Sequence, residues 1–367
     1  MKLRTRTLGG LAAVIILLGA CGGGHTGRSV AADPGTVRWR WHAPRPASVG
    51  TPAADDRGSV VTYSHTVLTS LAPDGVVRWE MRRLGVREQS SLLTPDLVVV
   101  PADDGLVAVD RATGNTRWDT RFGDTASTPV LASGLVMTCA AGGSLVAVDA
   151  VTGAVAWRAQ LRGRAEGPPA TDGRTVVATW EPERGEAAGI TAFDVATGQE
   201  QWTAPLRAGG VSAPAIVHPD RGRALVVAVD DDLAAKAFDL GDGRKLWAAH
   251  VDGAGEPEVP PLPLADGRVL VADRRAGLTM LDPAGRRTWS TPASAAAGRG
   301  GPVGPALGGR YLLSLYNGRV LTAGPGHSAV TFAAPGGLAN GVSLAPSGVV
   351  LIATAQGGDN QLVAYGP

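Results

Sequence analysis

Between Leu145 and Trp157 the chain reads Leu-Val-Ala-Val-Asp-Ala-Val-Thr-Gly-Ala-Val-Ala-Trp. Its first half has the alternating pattern of a strand, and a second short strand ends in an indole. Asp149, Thr152 and Gly153 between them supply turn chemistry: a carboxylate that accepts backbone N–H groups and a glycine that tolerates positive φ. Leu106 to Trp118 and Ile190 to Trp202 repeat the pattern. Ala235 to Trp247 keeps most of it, and shortened copies run from Leu71 to Trp79 and from Leu278 to Trp289. Trp79, Trp118, Trp157, Trp202, Trp247 and Trp289 are thus spaced 39 to 45 residues apart. All-strand units at that period predict a propeller.

Each hairpin is preceded by a Pro- or Gly-punctuated segment and an apolar strand. Ser127 to Val130 precedes Leu135–Ala140, and Ser212 to Ala215 precedes Ala224–Val229. A unit therefore predicts four antiparallel strands, with the Trp at the end of the outer one. A worn seventh copy, Val320 to Phe332, has Phe in place of Trp. Gly341 to Tyr365 supplies three further strands, and Thr36 to Trp41 has the outer-strand pattern that completes them. The prediction is an all-β, eight-bladed propeller whose termini share the closing blade, removing an open sheet edge. Seven blades is the alternative if the worn copy is an insertion. The tryptophans are expected to lie between blades, against the glycine turn and small alanine of the adjacent repeat. Each buried ring is worth at most about 4–6 kcal/mol by area. Asp110 with Gly114, Asp149 with Gly153, Asp194 with Gly198 and Asp239 with Gly243 are read as turn residues. Their recurrence before a Trp argues against an aspartic-protease motif.

These residues resemble the pyrroloquinoline-quinone (PQQ) repeat, Ala-x-Asp-x-x-Thr-Gly-x-x-x-Trp, whose indoles form a docking girdle. The resemblance covers residues 36–367 and implies a quinoprotein-like fold. That scaffold is shared by quinoprotein dehydrogenases, by the lipoprotein subunit of the outer-membrane β-barrel assembly machine and by sensor ectodomains, so function must come from the site. The enzymes are longer and carry an adjacent Cys-Cys pair, a catalytic Asp and a Glu/Asn calcium site. Cys21 and Cys139, the only cysteines, cannot form such a pair. Length and amino-terminal features are similar to the barrel-assembly lipoprotein. The resemblance thus implies a scaffold with no catalytic residues and no cofactor, with a PQQ-dependent oxidoreductase or a small-ligand sensor as alternatives.

The amino terminus adds a location. Lys2, Arg4 and Arg6 precede an apolar run from Leu8 to Leu18 and then Gly19-Ala20-Cys21. A basic n-region, a short apolar run and small residues predict a secretory signal, and the run falls short of the roughly 20 residues of a spanning helix. Leu18 to Cys21 resembles a bacterial lipobox, which implies lipidation at Cys21; a plain signal peptide is the alternative. The predicted divisions are a signal over 1–20, a tether over 21–35 and the propeller over 36–367. The protein is then expected outside the cytoplasm, held to a membrane by its lipid, and in an outer membrane only if the organism has one.

A formal net charge of +1 and the absence of a basic run exclude an electrostatic case for nucleic acid. Gly 51 and Pro 26 suit many short strands and turns. The six histidines (25, 42, 65, 218, 250 and 327) fall at scattered repeat positions and predict no metal site. Cys139, in an apolar strand, is expected to be a small buried hydrophobe. The loops entering inner strands and those joining second to third strands share one face, which carries Arg82, Arg83, Arg87 and Glu88, Asp103 and Asp104, and Arg162, Arg164 and Glu166. Asp230, Asp231 and Asp232, with Asp273, Arg274 and Arg275, complete it. Asp230 to Asp232 are read as a solvated loop, with hard-cation ligation as the alternative. The mixed charge predicts a docking rim for an envelope protein, with Glu181 to Gly189 as the longest loop and the propeller itself a monomer.

Overall fold

The Leu-Val-Ala-Val runs are buried along their whole length, so each must be covered on both faces, and each forms the third strand of a four-stranded antiparallel sheet. The computed structural model describes residues 36–366 apart from 45–47, 64–65, 88, 185–186, 233, 252–259, 273–276, 292–301, 307–309, 315–318, 334–337 and 356–359. The predicted signal and tether, Cys21 included, lie outside the described residues, as do Glu88, Asp273, Arg274, Arg275, His25 and His65.

Eight sheets follow one another in chain order, and the regular structure is entirely β-strand among the described residues. The third blade is typical: Val130–Ala132, Leu135–Ala140, Ser144–Asp149 and Val155–Gln160, from inner to outer. The eighth consists of Leu338–Leu344, Val350–Ala355, Gln361–Gly366 and, as its outer strand, Thr36–His42. Thr36 lies opposite Gly366, so the two ends of the propeller domain pair with each other. The eighth inner strand touches those of the first and seventh blades and closes the ring. This is the eight-bladed arrangement expected, with the worn copy, Pro302–Ala306 to His327–Ala333, forming a full blade. The fourth blade has an extra short strand, Arg164–Ala165, paired with Trp180 and Glu181.

One contact recurs around the ring. Six outer-strand indoles each lie on the turn glycine of the next blade and donate the N–H to a carbonyl in that turn. The bonds run from Trp39 to Pro73, Trp79 to Arg111, Trp118 to Ala150, Trp157 to Val195, Trp202 to Leu240 and Trp247 to Pro283, all at 2.8–3.0 Å. A Cβ added at Gly75, Gly114, Gly153, Gly198, Gly243 or Gly285 would lie 2.6–2.7 Å from ring atoms. Those glycines also have φ of 70–85°, where an L side chain costs about 1–2 kcal/mol. Two requirements for glycine coincide at one residue.

One detail differs from the sequence expectation. The Trp is third in its strand rather than last, as in Thr116–Arg121. Within each repeat an alanine also opposes the Trp across the strand pair: Ala108 opposes Trp118, Ala147 opposes Trp157, Ala192 opposes Trp202 and Ala237 opposes Trp247. A register shift beside each pair re-aims the outer strand, a geometric effect of the bulge that the one-dimensional pattern does not carry. Trp289 departs from the series. It faces Met280 across the strand pair and tilts against Tyr311 of the seventh blade at 6.3 Å between centroids. A Cβ on the seventh-blade Gly326 would meet no atom within 4 Å.

The turns are built around the aspartates. Asp110 and Asp149 each accept from two backbone N–H groups and the threonine hydroxyl, while Gly114 and Gly153 donate back to the carbonyls of Asp110 and Asp149. Asp194 has the same threonine contacts, and Asp239 accepts from Gly241. Hydrogen bonding from Arg117, then from Thr113, lowers the Asp110 carboxyl to about 2. The Thr152 and Thr197 bonds lower Asp149 and Asp194.

Gly153→Ala is expected to destabilise by about 2–5 kcal/mol, combining left-handed strain with overpacking against Trp118. Gly123→Ala, at φ 75° but with open space around it, should cost only the strain. Chemical denaturation of both variants checks the difference; equal losses would remove the indole from the explanation. Because the folded Asp110 pKa lies below the ordinary carboxylate value, its stabilising contribution is present above about pH 4 and is lost as pH falls toward 2. The melting-temperature advantage of the natural chain over Asp110→Asn is therefore expected to shrink across that window.

Candidate functional site: the charged loop face

The turn face of the disc is occupied by the indole contacts. The opposite face carries the links into the inner strands and the connections between second and third strands, and its ionic groups fall into three clusters.

The first lies where the first blade meets the second. Arg83 donates from Nε and Nη2 to the two oxygens of Asp119 at 3.1 and 3.0 Å, and from Nη2 to Asp104 at 2.9 Å. Burial acts to lower the Arg83 pKa, but Asp119 and Asp104 together outweigh it and hold the guanidinium above its ordinary value. Arg83 also donates to the Leu84 carbonyl at 3.0 Å, and the Gly85 carbonyl accepts from the Asp103 N–H. Arg87 pairs with Asp103 at 2.9 Å, and Arg121 approaches Asp104 at 3.4 Å. At the tip of this pinned loop Leu84 is 82% exposed.

The second cluster belongs to the fourth blade. Arg164 approaches Glu166 at 3.4 Å, and Arg162, in the link before them, reaches Glu200 at the start of the outer strand at 2.8 Å. Burial, then the neighbouring Glu181 charge, raises the Glu166 pKa against the pull of Arg164. Glu181 accepts from the consecutive N–H groups of Gly209 and Gly210 at 3.0 and 2.7 Å. The stretch read as the longest loop, Glu181 to Gly189, is strand at both ends, where Thr175–Glu181 and Ala187–Asp194 extend the hairpin from both sides.

In the fifth blade Asp230 is fully buried, which corrects the solvated-loop reading at that residue, while Asp231 and Asp232 are exposed. Its Oδ2 accepts from the Arg207 N–H and from Lys236 Nζ, and Lys236 also reaches Asp232 at 3.0 Å. The lysine ammonium is thus the cation between these carboxylates. Burial opposes its charge, yet Asp230 and Asp232 raise its pKa, while Lys236 lowers that of Asp232. Asp231 is exposed, its carboxylate packed over Gly209.

Arg87, Asp103 and Asp104 therefore come together, as do Arg164 with Glu166, and Asp230 with Asp232; they form three clusters on one face, not one constellation. Leu84 was not singled out from the sequence, where its signal was a lone leucine between Arg83 and Gly85 in a link rich in arginine. Among the described residues no group of three or more His, Cys, Asp or Glu side chains is placed to hold a metal ion. Cys139 is buried, and desolvation pushes its thiol up to about 12.

Lys236→Met strands a buried carboxylate and is expected to cost about 3–5 kcal/mol, whereas adding Asp230→Asn should recover most of the loss. Equilibrium unfolding of both variants tests the pairing; a double variant as unstable as the single one would contradict it.

Known proteins carry this frame. BamB from Moraxella catarrhalis is 17% identical with a TM-score of 0.66, over 90% of this chain and 96% of that one. Quinohemoprotein alcohol dehydrogenase from Comamonas testosteroni is 16% identical with a TM-score of 0.66, over 90% of this chain and 76% of that one. The quinohemoprotein alcohol dehydrogenase ADHIIG from Pseudomonas putida HK5 is also 16% identical, with a TM-score of 0.68 and the same coverages. At these identities the likeness is one of fold. Among curated proteins no match to the sequence is found. The family described as Outer membrane protein assembly factor BamB matches residues 22–151, 102–208 and 141–324, well over half of the 367 residues. The chain belongs to that family.

Proposed function

We propose that this protein is a lipid-anchored, non-catalytic scaffold of the cell envelope that docks a protein partner on its charged loop face. The observation that carries the reading is Leu84: an apolar side chain in solvent, on a loop whose shape is fixed by the Arg83 and Arg87 bonds. An apolar anchor inside a polar rim is the anatomy of a protein interface, and a loop ordered in advance loses less entropy on binding. Family membership supports a role in outer-membrane protein assembly, and the lipobox-like Leu18 to Cys21 supports the anchor. The match to BamB spans 96% of that chain, while about a quarter of each dehydrogenase is left unmatched.

The dehydrogenase likeness favours a second reading, a PQQ-dependent oxidoreductase. PQQ is an aromatic tricarboxylate, and a site for it calls for cationic partners. The inner strands, from Ala53–Asp55 and Leu92–Leu93 through Val130–Ala132, Ala170–Thr171, Ala215–Val217 and Leu262–Pro263 to Pro302–Ala306 and Leu338–Leu344, contain no Lys or Arg. Lys236 is taken by Asp230 and Asp232. These residues do not fit the cofactor.

A photo-crosslinking residue at position 84, in cells carrying the full chain, is expected to give one discrete adduct that is absent when the same residue replaces Val151. Adducts of equal yield at both positions, or saturable PQQ binding with dye reduction by the purified protein, would overturn the scaffold reading.

A further inference from the structure

The position of the first described strand bears on how the propeller sits at a membrane. Thr36–His42 is an outer strand, and such strands start on the turn face and finish on the charged face. Its Trp39 reaches Pro73 and lies on Gly75 of the first-blade turn, and Thr36 opposes Gly366. The chain before residue 36 therefore joins the body on the turn face.

Exposed apolar side chains also lie on this face, on the eighth, first, third and fifth blades. Eight large ones are exposed among the described residues. Val76 and Val77 follow Gly75, and Val37 stands beside the point where the chain joins. Val151 is at the third-blade turn, Val155 opens the outer strand after it, and Leu131 lies by the hairpin linking that blade's first two strands. Leu246, second in Lys245–His250, lies at the same end, and Leu84 alone is on the charged face. Val151 is 84% exposed and Val76 61%. In the third-blade turn Ala154, Val155 and Ala156 stand where the second and fourth blades have Asn115, Thr116 and Arg117 or Gln199, Glu200 and Gln201.

We infer that the turn face lies against the lipid surface, with Val37, Val76, Val77 and Val151 at the headgroup boundary and the charged face directed away. The inference rests on the lipid anchor at Cys21 proposed above. The predicted tether, Gly22 to Gly35, is only 14 residues long, so the face it joins stays near the bilayer. Apolar side chains at that boundary add binding to an acyl anchor.

The test uses the full lipoprotein in vesicles of phosphatidylethanolamine and phosphatidylglycerol, with single cysteines introduced as Val76→Cys, Val151→Cys or Leu84→Cys and labelled with a fluorophore. Acylated Cys21 is blocked and buried Cys139 is unreactive, so only the introduced thiol is labelled. Headgroup-linked quenchers are expected to quench the labels at 76 and 151 severalfold more than the label at 84. Equal quenching at all three, or stronger quenching at 84, overturns the orientation. Flotation with vesicles is measured alongside: if Cys21→Ser floats as well as the natural chain, the anchor reading itself fails and the orientation falls with it. A protein that floats through Cys21 but shows equal quenching loses only the orientation.

Discussion

An indole seated on the glycine of the next blade is the contact on which the rest of this structure depends. The ring needs a flat apolar surface without a Cβ, and the turn needs a residue at positive φ, so glycine serves both. The aspartate then satisfies the backbone N–H groups of the same turn, and the alanine across the strand pair leaves room for the ring. Aspartate, glycine, tryptophan and alanine thus form one mechanical unit that spans two blades. Each blade is incomplete until its neighbour is in place, which makes ring closure by Thr36–His42 a condition of the whole rather than a finishing touch. The sixth seam uses another solution, Trp289 tilted against Tyr311.

Placing the indole contacts on one face separates the tasks of the two faces. The turn face is constrained by packing, whereas the links and hairpin ends opposite are free to vary in length and charge. Arg83, Lys236 and Glu181 each use that freedom to tie neighbouring segments together by charge-assisted bonds. The same frame serves BamB and alcohol dehydrogenases among its structural relatives, so the repeat describes architecture and not activity.

Much of this architecture was legible in the sequence because its causes are local. Leu135–Ala140 was delimited to the residue, and the strand from Thr36 was recognised as the one that completes the last blade from its Trp pattern. What escaped has causes that are not local. A bulge beside Ala147 sets the register that brings this alanine opposite Trp157. Asp230 looked like its exposed neighbours, yet its burial depends on Arg207 and Lys236 being folded over it. The Leu84 loop owes its order to aspartates up to 36 residues away, a pairing with no period to reveal it.

Hydrogen exchange of the protein in isolated envelope vesicles, compared with the same protein purified in detergent, tests most directly whether the loop face is where it works. New protection is expected over Leu84 to Arg87 and the Asp103–Asp104 connection, with the strands unchanged. Protection confined to the inner strands around the central axis, with the Leu84 loop exchanging as freely as in the purified protein, would contradict a docking role.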